Sequence, residues 1–188
     1  MESLNPLNLY TTKNMESNYE EEILNIGKSI FNEDDISLLK KALTLYVKDL
    51  SYVLIDTDKN KISRTKSALS PEGTIAGFIL VCKKYTKIYH KFMDKVQNCY
   101  EIAFLGIDPS HQGKGLGSQC LKKALSSIYK ISRQFNAWLV VNEDNVGAIK
   151  LYKKLGFIQW KHIPHDKYPC FIMGISYRRY ICYFQNNF

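Results

Sequence analysis

The hydrophobic positions of this chain change period several times, and each change marks an element. LNLYTTKN near the start reads as a first strand. From Tyr19 to Phe31 the apolar residues fall at 23, 24, 26, 30 and 31, the spacing that gathers them on one side of a helix. Asn32-Glu33-Asp34-Asp35 follows, with Asp34 or Asp35 suited to cap a second helix through ISLLKKALTLYVKDL. SYVLIDTD then alternates as a strand does. The polar run DKNKISRTKSALSPEG ends in a Pro-x-Gly turn signal and reads as a loop. Gly73 to Cys82, GTIAGFILVC, is rich in β-branched and large apolar residues and predicts a buried strand.

In the second half, YEIAFLGID from Tyr100 is a strand stopped at Asp108-Pro109, because proline has no N–H to extend a ladder. HQGKGLGS comes next. Leu116, Cys120, Leu121, Ala124, Leu125, Ile128 and Ile131 then recur at helical spacing, so a helix of about four or five turns begins at the glycine-rich stretch itself. AWLVV, Ala137 to Val141, is the next strand. NEDN caps a helix with Ala148, Ile149, Leu151, Tyr152 and Leu155 on one side, and Gly156 ends it. FIQWKHI and CFIMGISY are the last two strands. The aromatic tail SYRRYICYFQNNF either extends the final strand or packs on a partner chain, which would make a homodimer. No internal repeat is present.

Composition narrows the class. With 188 residues, 45% of them hydrophobic, the chain can bury a core and is most simply one domain over residues 1–188. No apolar run approaches the ~20 residues that span a bilayer. MESLNPLNLY lacks the charged and apolar regions of a secretion signal, so an intracellular, most simply cytoplasmic, protein is expected. The 5 cysteines have no C-x-x-C spacing, which favours reduced thiols over a disulfide framework or a zinc site. His162, His165 and Cys170 make a weak metal pattern, and no metal is expected. The net charge of +8 admits nucleic acid, an anionic membrane or a polyanionic cofactor. Its distribution is more informative: Lys114, Lys122, Lys123, Lys130 and Arg133 follow Pro109 with no acidic residue among them. The second basic run, KKYTKIYHKFMDK from Lys83 to Lys95, reads as a solvated loop tip; a single-strand binder needs a sustained aromatic platform in a basic groove, so nucleic acid is not the expected partner.

Strand, short glycine loop and helix in that order aim main-chain N–H groups and the positive end of a helix dipole at one point, which makes an anion site. Lys114 follows Gly113 without the spacing of a Walker loop, and G-x-G-x-G without an acidic residue about 20 positions on is not a dinucleotide fingerprint. The spacing that fits is Gln112-x-x-Gly115-x-Gly117. With its flanks, LGIDPSHQGKGLGSQCLKKAL resembles the acetyl-CoA-binding motif of the GNAT family of N-acetyltransferases, and NEDNVGAIKLYKKLGF, Asn142 to Phe157, is similar to the second half of that family's signature.

The resemblance implies an α/β (α+β) GNAT fold, a mixed central sheet of about seven strands splayed near the middle, with about four helices. It implies acetyl-CoA as co-substrate, with Gln112, Gly113, Lys114, Gly115, Leu116, Gly117 and Ser118 around its pyrophosphate. Leu105 and Ile107 match the positions whose main chain pairs with pantetheine, and Asn145 matches the asparagine that contacts the cofactor arm. Tyr152 matches the residue that protonates the leaving thiolate. Glu101 occupies a place similar to the glutamate that deprotonates the amine, against which stands the reading of a solvated glutamate at a sheet edge.

The chemistry is consistent with those roles. Main-chain N–H groups at a strand irregularity can stabilise a developing oxyanion, and Gly106 in an otherwise bulky strand fits such an irregularity. A phenol with a pKa near 10 is still protonated at neutral pH. His111 reads as loop surface. The acceptor is a primary amine, a protein N-terminus or lysine; a polyamine or aminosugar, and a non-catalytic acyl-CoA or nucleic-acid binding module, are the alternatives. Asn32 to Asp35 are suited to attract a cationic amine, or simply to cap a helix and be solvated.

Overall fold

The computed structural model describes residues 9–57, 73–83 and 98–184. Most of the loop DKNKISRTKSALSPEG and nearly all of KKYTKIYHKFMDK lie outside them. Among the described residues are β1 (Tyr10–Asn14), α1 (Glu20–Ile30), α2 (Glu33–Ala42), β2 (Tyr52–Asp56), β3 (Thr74–Cys82), β4 (Cys99–Ile107), α3 (Leu116–Ile131), β5 (Asn136–Asn142), α4 (Val146–Lys154), β6 (Ile158–Ile163), β7 (Cys170–Ser176) and α5 (Tyr177–Phe184). No helix of these residues is long and apolar enough to cross a membrane.

The seven strands form one sheet in the order β1-β2-β3-β4-β5-β7-β6. Neighbours are antiparallel except β4 and β5. That parallel pair is joined through α3, the crossover that a parallel connection requires. Helices cover both faces. Leu116, Cys120, Leu121, Ala124, Leu125 and Ile128 of α3 bury against one face with Tyr52, Leu54, Tyr100 and Ile102. Ile23 and Ile26 of α1 and Leu39 and Ala42 of α2 bury against the other with Val53, Ile55, Phe78 and Leu80. Coverage on both sides explains why all five residues of β2 are buried, although the sequence alternates as if one face were wet.

Two elements differ from the sequence expectation, α2 and the tail. The cap of α2 is Asn32, whose Oδ1 accepts from the Asp35 N–H at 2.8 Å, so Asp34 and Asp35 fall inside the first turn. The helix stops at Ala42, because Leu43 must bury and Val47 must turn back to give its N–H to Val81 O. The tail does not extend the final strand. Tyr177–Phe184 forms α5, with Tyr180 buried and Tyr177, Ile181 and Phe184 packed on the α3-side core.

Candidate functional site

β4 is the axis of the site. Its β3 edge is paired from Glu101, opposite Cys82, to Ile107, opposite Gly77. Its other edge meets β5 only at Cys99, Tyr100 and Glu101, opposite Asn136, Ala137 and Trp138. Beyond Glu101 and Trp138 the pairing ends and the strands part, which opens a cleft between them. Asp108 N–H donates to Ala76 O on β3 at 3.0 Å, so by alternation the main-chain groups of Ile107 and Leu105 point away from β3, into the cleft. The Ile107 carbonyl there accepts from Gln112 Nε2 at 3.1 Å.

The irregularity in β4 is not at Gly106. The register shifts between Leu80, opposite Phe104, and Val81, opposite Ile102, leaving Ala103 as the extra residue of a bulge. Tyr100 and Ile102 bury on the α3 side, Ala103 and Phe104 pack on the α1–α2 side, and Leu105 and Ile107 return to the α3 side. The bulge thus puts Glu101 and Leu105 on opposite faces. Gly106 has a different cause: a Cβ there would lie 2.6 Å from Phe78 Cε1 and 2.9 Å from Ile30 Cδ1.

At the end of β4 the glycine loop stands open. Gly113 and Gly115 have φ of +76° and +78°, which only glycine adopts freely, and a Cβ on either would meet nothing within 4 Å. Gly115 is the N-cap of α3 and supplies no side-chain cap. The first helical bond runs from Gln119 N–H to Gly115 O, so the N–H groups of Leu116, Gly117 and Ser118 end the helix without an intrahelical acceptor. Gly117 lies where a Cβ would be 3.3 Å from Leu151, which draws α4 against the loop. Lys114 Nζ reaches back to the Tyr10 hydroxyl at 3.2 Å and to Ser110 O at 3.3 Å.

Beneath this loop lies a residue that the sequence presented as surface. His111 is 8% exposed. Its Nε2 is 3.0 Å from Asp56 Oδ2 on β2, and its Nδ1 is 3.2 Å from Asp108 Oδ1. Burial pushes the Asp108 carboxyl up, but hydrogen bonds from Ser110 and His111 outweigh it and hold the group below its ordinary value. The Asp108-x-x-His111 spacing is the only local sign of this cluster; Asp56 lies 55 residues away from His111 and carries none.

On α4, Asn145 is exposed and its Oδ1 caps the helix through Ala148 N–H at 3.1 Å. Tyr152 is buried among the α3-side residues, and its hydroxyl has no hydrogen-bond partner among the described residues. Burial pushes the phenol up to about 12, above the value near 10 expected from sequence. The end of α4 is clamped by α5, where Arg179 Nε donates to Gly156 O at 2.6 Å and the Tyr183 hydroxyl donates to Lys154 O.

Glu101 is 4% exposed, in the middle of the sheet rather than at its edge. It sits at the vertex where β4 and β5 part, on the α1–α2 side. Burial lifts the thiols of Cys82 and Cys99 to about 12, and the charge of Glu101 adds to both shifts. The structure therefore gathers Leu105, Ile107, Gln112 to Ser118 and α4 on one side of the cleft and leaves Glu101 on the other. His162 pairs with Glu143 at 3.0 Å, and no group of three metal-ligating side chains occurs among the described residues.

Residues 38–157 match the family model described as acetyltransferase (GNAT) family. This chain belongs to the GNAT family. Its relatives include the spermidine N(1)-acetyltransferase of Escherichia coli (strain K12), 32% identical over 84 residues, or 44% of this chain and 43% of that protein. The chain thus spans less than half the length of the curated relatives it matches. Among solved GNAT structures, Ard1 from Thermoplasma volcanium superposes with a TM-score of 0.67 at 19% identity, covering 89% of this chain and 97% of that one. Arabidopsis thaliana Naa50, in complex with the bisubstrate analogue CoA-Ac-MVNAL, gives 0.62 at 16% identity over 89% and 99%. At such identities the likeness is one of fold: a seven-stranded mixed sheet, here with five helices among the described residues.

Proposed function

We propose that this chain is an acetyl-CoA-dependent N-acetyltransferase whose acceptor is a primary amine of a protein, its N-terminus or a lysine. The observation that carries the reading is the parting of β4 from β5 beyond Glu101, with an uncapped glycine loop at the end of the parted strand. The residues fit the co-substrate. Open space at Gly113 and Gly115 and the free helix end suit a pyrophosphate, and Lys114 adds positive charge. The main chain of Leu105 and Ile107 suits an extended amide-bearing arm, with the Asn145 Nδ2 available beside it.

Acetyl-CoA supplies the activated acetyl group; the chain supplies position and proton transfer. Glu101, on the opposite side of the cleft, takes a proton from the incoming ammonium, directly or through water. In this reading, main-chain N–H groups around the Ala103 bulge receive negative charge developing on the acetyl oxygen, a contribution of about 3 kcal/mol in comparable sites. The Tyr152 hydroxyl gives its proton to the departing sulfur. Burial lifts the phenol to about 12, which keeps it protonated and able to donate at neutral pH.

A polyamine acceptor is the second reading, supported by the spermidine-acetylating relative and by Glu33, Asp34 and Asp35 at the α1–α2 turn. Weighing against it, those carboxylates occupy a first helical turn, where they complement the dipole. Lys167 is also held above its ordinary value by its hydrogen bond to Tyr168, with Asp34 adding to the shift, so part of the acidic charge faces the chain's own lysine. We place the enzyme in the cytoplasm, a reading supported by its free cysteines.

Calorimetric titration with acetyl-CoA, then thiol release with peptides bearing free N-termini, internal lysines, polyamines and aminosugars, tests both levels. Turnover of a peptide amine is expected. Turnover of polyamines alone selects the second reading; failure to bind acetyl-CoA removes the enzyme reading, and a parallel titration with single-stranded nucleic acid tests the binding-module alternative.

A further inference from the structure

We infer that His111 is the positioning residue of the donor loop, a cross-tie from the loop to β2 and to the end of β4 that holds the glycines in their binding shape. The inference rests on the reading of that loop as the pyrophosphate site. Gly113 and Gly115 carry no side chain to pack, and open space surrounds both, so within the stretch from Gln112 to Gly115 only the exposed Gln112 amide, on Ile107 O, and the Lys114 ammonium, on the Tyr10 hydroxyl and Ser110 O, restrain it. A loop free to wander would have to be ordered by its ligand, and ordering weakens binding.

The buried restraint comes from the residue just before it. Gln112 to Gly115 are exposed, whereas His111 is buried. Its Nε2 lies 3.0 Å from Oδ2 of Asp56, itself 4% exposed and the last residue of β2. Its Nδ1 lies 2.9 Å from Ser110 Oγ and 3.2 Å from Asp108 Oδ1, and Asp108 Oδ1 also accepts from Ser110 N–H at 2.9 Å. The edge of the Tyr10 ring on β1 meets the imidazole at 6.0 Å between centroids, and the Tyr10 hydroxyl receives Lys114 Nζ from the far side of the loop. The loop is thereby anchored to three strands, with His111 at the centre. Buried polar groups facing one another in this way hold a geometry firmly, because a buried hydrogen bond is costly to break.

The imidazole lies at the wrong end of β4 for proton chemistry. Six residues of strand, about 20 Å, separate Ile107 from the vertex at Glu101. Its effect belongs to donor binding and not to the chemical step.

The experiment compares wild type, His111→Ala, His111→Gln and Asp56→Asn by CoA calorimetry, by kcat and KM from thiol release, and by thermal melting. His111→Ala is expected to raise the Kd for CoA and the KM for acetyl-CoA about tenfold, with kcat and the acceptor KM changed less than about twofold. His111→Gln, whose amide reaches the place of Nε2 beside Asp56, is expected to recover most of the loss. Asp56→Asn keeps the shape of its side chain and serves where the alanine variant is too unstable to assay; it is expected to show the same donor-specific loss. A His111→Ala or Asp56→Asn protein that melts lower but binds CoA as wild type does overturns the inference and leaves the proposed function standing, as does a fall in kcat at unchanged KM. A wild-type chain that does not bind CoA overturns the loop reading itself and the inference with it.

Discussion

Replacing Tyr152 by Phe should separate catalysis from stability in one substitution. The side chain is nearly buried, its hydroxyl makes no hydrogen bond among the described residues, and burial alone raises its pKa. The oxygen keeps contact with solvent, so its removal relieves little desolvation and Tyr152→Phe is expected to change stability by less than about 0.5 kcal/mol. For a protein of this size that is a shift in Tm of less than about 2 °C. The ring itself, 5.9 Å from Phe157 between centroids, stays in place. The chemical step should fall about 10²-fold, the usual contribution of a positioned general acid, while the KM for acetyl-CoA holds. The pH profile adds a second check. With the phenol at about 12, its ionisation lies beyond the assay range, so an alkaline limb seen below about pH 10 must belong to another group and persist in the variant. Melting curves and steady-state thiol release measure both effects. An unchanged kcat refutes the role of Tyr152 as acid. A marked loss of Tm refutes the account of its surroundings, since it would mean that the hydroxyl is bonded in the folded protein.

Other consequences follow from the same geometry. Gly106→Ala drives a methyl group to within 3 Å of Phe78 and Ile30, and overpacking of this kind costs about 1–3 kcal/mol; a Tm equal to wild type contradicts it. Arg179→Ala removes the donor from Gly156 O at the end of α4 and should cost about 1–2 kcal/mol, read by chemical denaturation, whereas Arg178→Ala, an equally exposed neighbour without a hydrogen bond among the described residues, should cost less than about 0.5 kcal/mol. Because the Asp108 carboxyl is held below its ordinary value, its contribution is complete above the unfolded value and is lost as pH falls through the lowered one. The Tm gap between wild type and Asp108→Asn should be steady from about pH 7 to 5 and close toward about pH 2; a gap that persists there places the effect elsewhere.

Much of the fold was legible because its signals are local. Apolar spacing located α1, α3 and α4 to within a few residues, Asp108-Pro109 marked the end of β4, and Gln112-x-x-Gly115-x-Gly117 marked the open loop before α3, since a loop's main-chain geometry is written in its own glycines. Capping was harder to assign. Asn32, Asp34 and Asp35 are all capable caps, and only the entry of the chain into α2 chose Asn32. The tail was misleading for a related reason: SYRRYICYF carries aromatics suited to a strand, yet the edge of the α3-side core offered a site for a helix, with Tyr180 seated beside Phe135 at 5.5 Å between ring centroids.

The sequence by itself determined that the chain is GNAT-like, because both motifs are contiguous and are written in the backbone they encode. The tertiary structure alone decided where the remaining groups face. The bulge at Ala103 is a mismatch between two strands, so neither strand's sequence displays it, yet it puts Glu101 and Leu105 on opposite sides of the cleft. The burial of Tyr152 and the pairing of His111 with Asp56 likewise arise from elements distant in the chain and adjacent in space, and pattern within one segment carries no record of them.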